Sequence, residues 1–131
     1  MPRSLVHYWT MWNEPDLQRV RQHLDRAVSE EVVWVDPQHA FTGRDALEAN
    51  VAALRSAKPQ YRFVIASAVD GHHDRLRYRW NMVRGRRVLV EGLDVVQIAP
   101  DGLVARVDGF FGQLPPAESA KHGIPATLLP N

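Results

Sequence analysis

Cysteine is absent from the 131-residue chain, which excludes a disulfide framework, a thiol nucleophile and a cysteine-ligated metal. Long apolar runs are absent too. The first residues, Met-Pro-Arg-Ser-Leu, lack the core of a signal peptide, and no segment approaches membrane-spanning length. We therefore expect a cytoplasmic protein with no membrane partner.

An excess of charge of one sign is also missing, because the formal net charge is only +1. Six arginines do fall between Arg75 and Arg87, and a basic cluster of this kind occurs in nucleic-acid-binding proteins. No RNA-binding motif accompanies the cluster. We therefore expect no nucleic-acid partner.

What the chain does contain is an ordinary globular composition, 45% hydrophobic and 24% charged, in a length that suits one domain. Helical periodicity predicts helices over residues 4–13, 15–28 and 45–57. Apolar and alternating runs predict strands over residues 31–36, 61–69, 75–83, 88–98 and 103–112, with a turn at Asp70-Gly71.

These elements predict an α+β domain in which three N-terminal helices pack on a curved, mostly antiparallel sheet and form a cone with an internal pocket. Because the helices cover one face of the sheet, we expect a homodimer through the outer face. The tail contains four of the nine prolines and no clear periodicity. We therefore place the domain at residues 1–113 and expect an extended tail over 114–131.

Asp94 stands out in the fourth predicted strand, Val88-Leu-Val-Glu-Gly-Leu-Asp-Val-Val-Gln-Ile98. Because side chains alternate along a strand, Asp94 shares its face with Val90, Val96 and Ile98. A carboxyl group on an apolar face needs a partner or stays protonated. Asp94 is therefore a candidate for a polar group in the pocket, with a structural ion pair as the alternative.

Asp36 ends another apolar run, Val32-Val-Trp-Val-Asp36-Pro37, and we interpret Asp36 and Asp94 as two poles of one pocket. His39 follows in the loop and is a candidate to orient Asp36 or to shuttle a proton. The alternative for Asp36 is an ordinary Asp-Pro turn, and for His39 a solvated loop position.

The strand register decides which residues face Asp94. In a plain hairpin centred on Gly85-Arg86, Asp94 lies opposite Arg77 and shares its face with Arg79. A one-residue bulge would instead place Tyr78, Trp80 and Met82 beside Asp94. The sequence leaves both registers open, and an arginine-lined pocket would favour an anionic or carbonyl-rich ligand.

Five sequence elements extend over most of residues 5–112: Trp9-Thr-Met-Trp-Asn-Glu-Pro-Asp-Leu17, Val33-Trp-Val-Asp-Pro37, Gly43-Arg-Asp-Ala-Leu47, Gly92-Leu-Asp94 and Asp101-Gly102 with Gly109-Phe-Phe-Gly112. In their order and spacing they resemble the nuclear transport factor two superfamily, which includes SnoaL-like polyketide cyclases, ketosteroid isomerase and scytalone dehydratase. The resemblance implies the cone-shaped fold. It implies no single activity, since this fold hosts many.

The resemblance to ketosteroid isomerase extends to the residues of its active site. It implies that Asp36, just before a proline, is the catalytic base, and that Tyr8 and Asp94 steady a developing oxyanion. Helical core packing is the alternative for Tyr8. Around these three catalytic candidates we assign pocket and substrate-binding positions to His39, Arg79, Trp12, Trp80 and Phe111.

We therefore expect a cofactor-independent isomerase, cyclase or dehydratase that acts on a small carbonyl compound. The alternative is a non-catalytic small-molecule-binding or dimerisation domain of the same fold, and a protein-interaction module is a weaker third. An epoxide hydrolase that uses Asp94, Arg79 and Asp108 is disfavoured, because the last strand turns Asp108 away from the pocket. No zinc-ligand spacing is present, and we expect no metal and no cofactor.

Overall fold

A mixed seven-stranded sheet and three helices form the protein, which we describe from a computed structural model covering residues 1–117 and 123–130. The helices are α1 (Arg3–Trp12), α2 (Val20–Ala27) and α3 (Arg44–Ala57), with short 3-10 turns at Leu17–Arg19 and Ala126–Leu128. The strands are β1 (Val28–Asp36), β2 (His39–Thr42), β3 (Tyr61–Ile65), β4 (Asp70–His72), β5 (Arg75–Arg84), β6 (Arg87–Ile98) and β7 (Val104–Phe111).

The strand order is β2-β1-β7-β6-β5-β3, and β4 pairs with β5 at one side. All neighbours are antiparallel except β1 and β7, which run parallel. The predicted α+β class with three helices on a mostly antiparallel sheet is confirmed. The parallel pair places the end of β1, with Asp36, beside Asp108 and Gly109 of β7.

The helices are amphipathic, and their apolar faces pack on the inner face of the sheet. Leu5, Tyr8, Trp9 and Trp12 follow the spacing of one face of α1, and all are buried. Gly43 precedes α3 with a φ of 101°, a left-handed conformation that side chains rarely adopt. The core joins the three helices to the strands, and its buried members are largely the residues that the periodicity predicts.

Two short strands differ from the sequence expectation. The predicted loop after Pro37 contains β2, which forms a hairpin with β1. The predicted turn at Asp70-Gly71 is wrong, because these residues form β4 and pair with Arg77 and Leu76. The chain turns two residues later, where His73 has a φ of 53°. The wrong prediction relied on local Asp-Gly chemistry, whereas pairing with β5 determines the structure.

The register of β5 and β6 contains the bulge. Met82 pairs with Val90 and Val83 pairs with Val88, so Leu89 is the extra residue on β6. Asp94 consequently pairs with Tyr78 and not with Arg77. The inner face of β5 therefore presents Tyr78, Trp80 and Met82, whereas Arg75, Arg77 and Arg79 point to the outer face.

The tail prediction for residues 114–131 falls partly on residues 118–122 and 131, which lie outside the described residues. Among the described helices, none is long and apolar enough to cross a membrane.

Candidate functional site

A cavity of about 320 Å³ lies between α1, α3 and the inner face of the sheet. Seven aromatic side chains line its wall, and two carboxyl groups reach it from β1 and β6. The lining residues are Tyr8, Trp9, Trp12, Trp34, Asp36, Gln38, His39, Asn50, Leu54, Phe63, Trp80, Met82, Val90, Asp94, Gly109 and Phe111. We call this space the central cavity.

Asp36 and Asp94 face each other across β7. Asp94 pairs with Gly109 of β7, and the parallel pairing of Val35 with Asp108 brings Asp36 to the other side of the same glycine. A Cβ atom at Gly109 would lie 3.1 Å from Asp94 Oδ1 and 3.5 Å from Asp36 Cβ. Gly109 therefore lies between the two aspartate side chains, and its missing side chain leaves a narrow space there, which we call the Gly109 gap.

Asp94 is 3% exposed and accepts two hydrogen bonds from side chains. Trp80 Nε1 donates to Oδ1 at 2.8 Å, and the Tyr78 hydroxyl donates to Oδ2 at 3.0 Å. The indole of Trp9 donates in turn to the Tyr78 oxygen at 3.0 Å. Because an indole nitrogen is only a donor, this bond directs the Tyr78 proton toward Asp94.

The pKa of Asp94 is raised from 3.8 to about 7, chiefly because burial penalises the charged form. The bonds from Trp80 and Tyr78 oppose the rise, and the negative charges of Asp36 and Asp108 add to it. Asp94 is thus a carboxyl group that gains or loses a proton close to neutral pH. Such a group is suited to acid–base work.

Gly92 allows Trp80 to reach Asp94. The two residues are cross-strand partners, and the Trp80 ring occupies the space beside the glycine. A Cβ atom at residue 92 would lie 2.1 Å from two carbon atoms of that ring. The Gly92-Leu-Asp94 segment therefore combines the acceptor and the space for its donor.

Tyr8 lies on α1 with 1% of its surface exposed, and its hydroxyl accepts a hydrogen bond of 2.8 Å from Trp34 Nε1. Burial raises the pKa of Tyr8 above its ordinary value, and the negative charge of Asp94 adds to this. The hydroxyl consequently keeps its proton at physiological pH. It is a neutral donor in the wall of the central cavity.

Asp36 uses one oxygen to hold the turn between β1 and β2. Oδ1 accepts bonds from the backbone N–H groups of Gln38 at 2.8 Å and His39 at 2.7 Å, and the His39 ring nitrogen Nδ1 lies 3.1 Å away. The side chain is 9% exposed and lines the central cavity. The turn interpretation of Asp36 is therefore correct for Oδ1, and Oδ2 takes no part in these turn contacts.

The structure brings together seven of the eight residues that the sequence nominates. Tyr8, Trp12, Asp36, His39, Trp80, Asp94 and Phe111 all line the central cavity. Arg79 requires a correction: the bulge at Leu89 places Tyr78 opposite Asp94, so Arg79 pairs with Leu93 and points to the outer face. Asp108 also lies outside the cavity, where it pairs with Arg106 at 2.7 Å.

Sequence reasoning placed Tyr78 beside Asp94 only in the bulged register, and it assigned no hydrogen-bonding role to Trp34 and no role to Gly109. Tyr78 and Trp34 supply the donors to Asp94 and Tyr8, and Gly109 separates the carboxyl groups. The alternation of β5 points to Tyr78 once the bulge is known. Gly109 has no local signal, because its role depends on the pairing of β7 with two strands that are distant in sequence.

Metal binding has no support in residues 1–117 and 123–130, where no group of three or more His, Asp or Glu side chains is placed to hold an ion. The polar groups of the central cavity are donors and acceptors suited to an organic ligand.

Comparison with known proteins agrees with this geometry. The sequence profile of the SnoaL-like domain matches residues 5–107. A solved structure from Agrobacterium tumefaciens, described as a candidate isomerase of the SnoaL-like family, is 32% identical and superimposes with a TM-score of 0.78. That match covers 84% of this chain and 95% of the other chain.

More distant structures show the same fold. A candidate SnoaL-like polyketide cyclase from Jannaschia is 14% identical, with a TM-score of 0.62 over 82% of this chain and 84% of that chain. A protein with a cystatin-like fold from Silicibacter pomeroyi is 15% identical, with a TM-score of 0.63 over 86% of this chain and 76% of that chain. No curated protein matches the sequence.

Proposed function

The chain belongs to the SnoaL-like domain family, and from this premise we propose that it is a cofactor-independent isomerase, cyclase or dehydratase. Its substrate would be a small carbonyl compound that reacts through an enol or enolate. The names of two similar structures, a candidate isomerase and a candidate polyketide cyclase, are consistent with this class.

The observation that carries the proposal is the pair of unlike carboxyl groups across the Gly109 gap. Asp94 is buried, with a pKa raised to about 7, and can hold a proton at neutral pH. Asp36 lies at the turn, where three nitrogen atoms surround Oδ1 and Oδ2 makes none of these contacts. Two carboxyl groups with different environments can serve as acid and base in one reaction.

The chemistry follows from the positions of these groups. Asp36 Oδ2 removes a proton from the carbon next to the carbonyl, and the electrons of the broken C–H bond form a C=C bond. The carbonyl oxygen then becomes negative, and hydrogen bonds from Tyr8 and protonated Asp94 stabilise it. Return of the proton from Asp36 to another carbon completes an isomerisation. In a dehydration the C=O bond re-forms, a C=C bond forms to the next carbon, and the hydroxyl group of that carbon leaves as water with the proton held by Asp36.

The charge of the central cavity favours a neutral substrate. No lysine or arginine belongs to its lining in the part of the chain that the structure describes, whereas two carboxyl groups do. In the plain-hairpin register, arginines would line the pocket and favour an anionic ligand. The bulge at Leu89 excludes this register. Seven aromatic side chains supply flat apolar surface for the rest of the ligand.

The test is proton exchange at carbon. A panel of small cyclic and aryl ketones is incubated with the protein in deuterated water, and NMR follows deuterium uptake next to the carbonyl. We expect uptake with the natural protein and a loss of at least about 100-fold in Asp36→Asn, because general-base catalysis typically contributes that much.

Asp108→Asn is the matched control, because it removes a carboxylate of a neighbouring strand that faces away from the cavity. We expect this variant to retain exchange. Undiminished exchange in Asp36→Asn would contradict the proposed base.

The second candidate is a non-catalytic small-molecule-binding domain. The engagement of Asp36 Oδ1 in the turn favours it, since a purely structural Asp36 would make the same bonds. This candidate predicts that a ligand binds with measurable affinity but that no ketone of the panel exchanges. Asp36→Asn would then alter affinity alone.

A further inference from the structure

Four tryptophan side chains line the central cavity, and three of their N–H groups have partners. Trp9 donates to Tyr78, Trp34 donates to Tyr8 and Trp80 donates to Asp94. The Nε1 atom of Trp12 is buried and forms no hydrogen bond of normal length among the described residues, although its N–H group lies close enough to the Tyr8 oxygen to help lower the pKa of Tyr8. Since buried donors are nearly always paired, this N–H group calls for an explanation.

The unpaired N–H group lies beside the candidate oxyanion donor. Trp12 follows Tyr8 by four residues on α1, so both side chains lie on the same helical face. Their ring centroids are 6.4 Å apart, and both rings line the central cavity. The Tyr8 oxygen accepts the Trp34 N–H group, which leaves the proton of Tyr8 free to point elsewhere. Two available donors therefore lie side by side on one wall.

The two donors differ from Asp94 in an important way. Both oxygens of Asp94 already accept a hydrogen bond, so this residue donates to a ligand only while it is protonated. The indole N–H group of Trp12 does not titrate, and Tyr8 keeps its proton at physiological pH. Together Trp12 and Tyr8 can donate two hydrogen bonds to a negatively charged oxygen, whether or not Asp94 is protonated.

We propose that Trp12 Nε1 is a further oxyanion donor, and that with Tyr8 it forms a two-point site for the oxygen of a planar enolate. The inference rests on the proposed function and identifies the chemical class that the site takes: a flat, conjugated oxyanion on an apolar ring or chain. The oxygen sits against α1, and the carbon that exchanges its proton faces Asp36.

Pentafluorophenol is a suitable probe, because its phenolate is a stable planar oxyanion with no second strong acceptor. Pentafluorotoluene has nearly the same shape and no oxygen. Affinities of both are measured by fluorine NMR at about pH 6, where Asp94 is largely protonated. In the natural protein, the assigned Nε1–H signal of Trp12 should move downfield with the phenolate and not with the toluene.

Trp12→Phe removes the N–H group and keeps an aromatic ring. We expect it to weaken phenolate binding by roughly tenfold or more, the scale of one hydrogen bond to a charged acceptor, with a much smaller effect on pentafluorotoluene. Tyr8→Phe should likewise weaken binding of the phenolate much more than binding of pentafluorotoluene. Phe63→Leu is the packing control, because the Phe63 ring packs against the Trp12 ring, with 5.4 Å between their centroids, and carries no hydrogen-bond donor. It should weaken both probes alike.

An unmoved Trp12 signal, a failure of the phenolate to bind, or equal losses for both probes in Trp12→Phe would overturn the proposal. These outcomes are independent of the assignment of Asp36, which proton exchange tests separately. If Trp12→Phe does not fold, the shift of the Trp12 Nε1–H signal in the natural protein still tests the proposal.

Discussion

Replacing Gly92 by alanine should displace the Trp80 ring and thereby disconnect Asp94 from one of its two donors. The added methyl carbon would lie 2.1 Å from two ring carbons and 2.6 Å from a third, which is far inside van der Waals contact. The ring is rigid and lies between neighbouring aromatic side chains, with Trp9 at 6.0 Å and Phe63 at 5.8 Å between centroids. It therefore has to move as a whole.

Two effects add to the change in unfolding free energy of Gly92→Ala. Overpacking of a core site typically destabilises by about 1–3 kcal/mol. Loss of the Trp80 hydrogen bond to ionised Asp94 adds about 1.5–3 kcal/mol, and less while Asp94 is protonated. We expect a loss of about 3–5 kcal/mol at about pH 8 and a smaller loss at about pH 5.

Urea unfolding at the two pH values measures this effect, and the Trp80→Ala background supplies the control. With the ring removed, the methyl group has space, so Gly92→Ala should change the unfolding free energy by less than about 0.5 kcal/mol there. Equal destabilisation by Gly92→Ala in both backgrounds would refute the predicted clash with the Trp80 ring. A loss of unfolding free energy that is the same at both pH values would refute the predicted effect on the Trp80–Asp94 hydrogen bond.

Three further predictions concern the same carboxyl group. Between about pH 4 and pH 7 folded Asp94 holds a proton that the unfolded chain has released, so the natural protein loses stability as pH rises through this window. Asp94→Asn should remove this loss, so its free energy of unfolding at about pH 8 should exceed that of the natural protein by up to about 4 kcal/mol, at about 1.36 kcal/mol per pH unit. Urea unfolding measures the difference, and a difference that does not change with pH would contradict the prediction. Gly109→Ala places a methyl group 3.1 Å from Asp94 Oδ1, and we expect it to reduce carbon proton exchange at least tenfold while unfolding changes by about 1 kcal/mol; undiminished exchange would show that the Gly109 gap is not needed. Tyr78→Phe removes a donor that lowers the pKa of Asp94, so the pH at which activity falls on the alkaline side should move upward, and a downward movement would contradict the assigned donor direction.

The sequence was sufficient for features that depend on local periodicity. The apolar spacing of α1 predicts that Tyr8 and Trp12 face the core, and the alternation of β6 predicts that Asp94 faces the same side as Val96. Both predictions are confirmed, because burial of an amphipathic face follows from the order of residues along one element.

Features that depend on pairing between distant segments could not be derived in this way. One extra residue, Leu89, decides whether Tyr78 or Arg77 faces Asp94, and no local preference fixes its position. The Gly109 gap requires β7 to lie between β1 and β6, a result of the tertiary fold. The homodimer through the outer face of the sheet stays a prediction.

The central claim is that Asp94 holds a proton near neutral pH while it faces Asp36 across the Gly109 gap. Carboxyl-carbon NMR of the ligand-free protein, with Asp94 assigned by its loss in Asp94→Asn, measures this directly. The account predicts a titration midpoint at about 7. A midpoint at or below the ordinary aspartate value would mean that Asp94 is an ionised structural acceptor, and the proposed oxyanion chemistry would lose its acid.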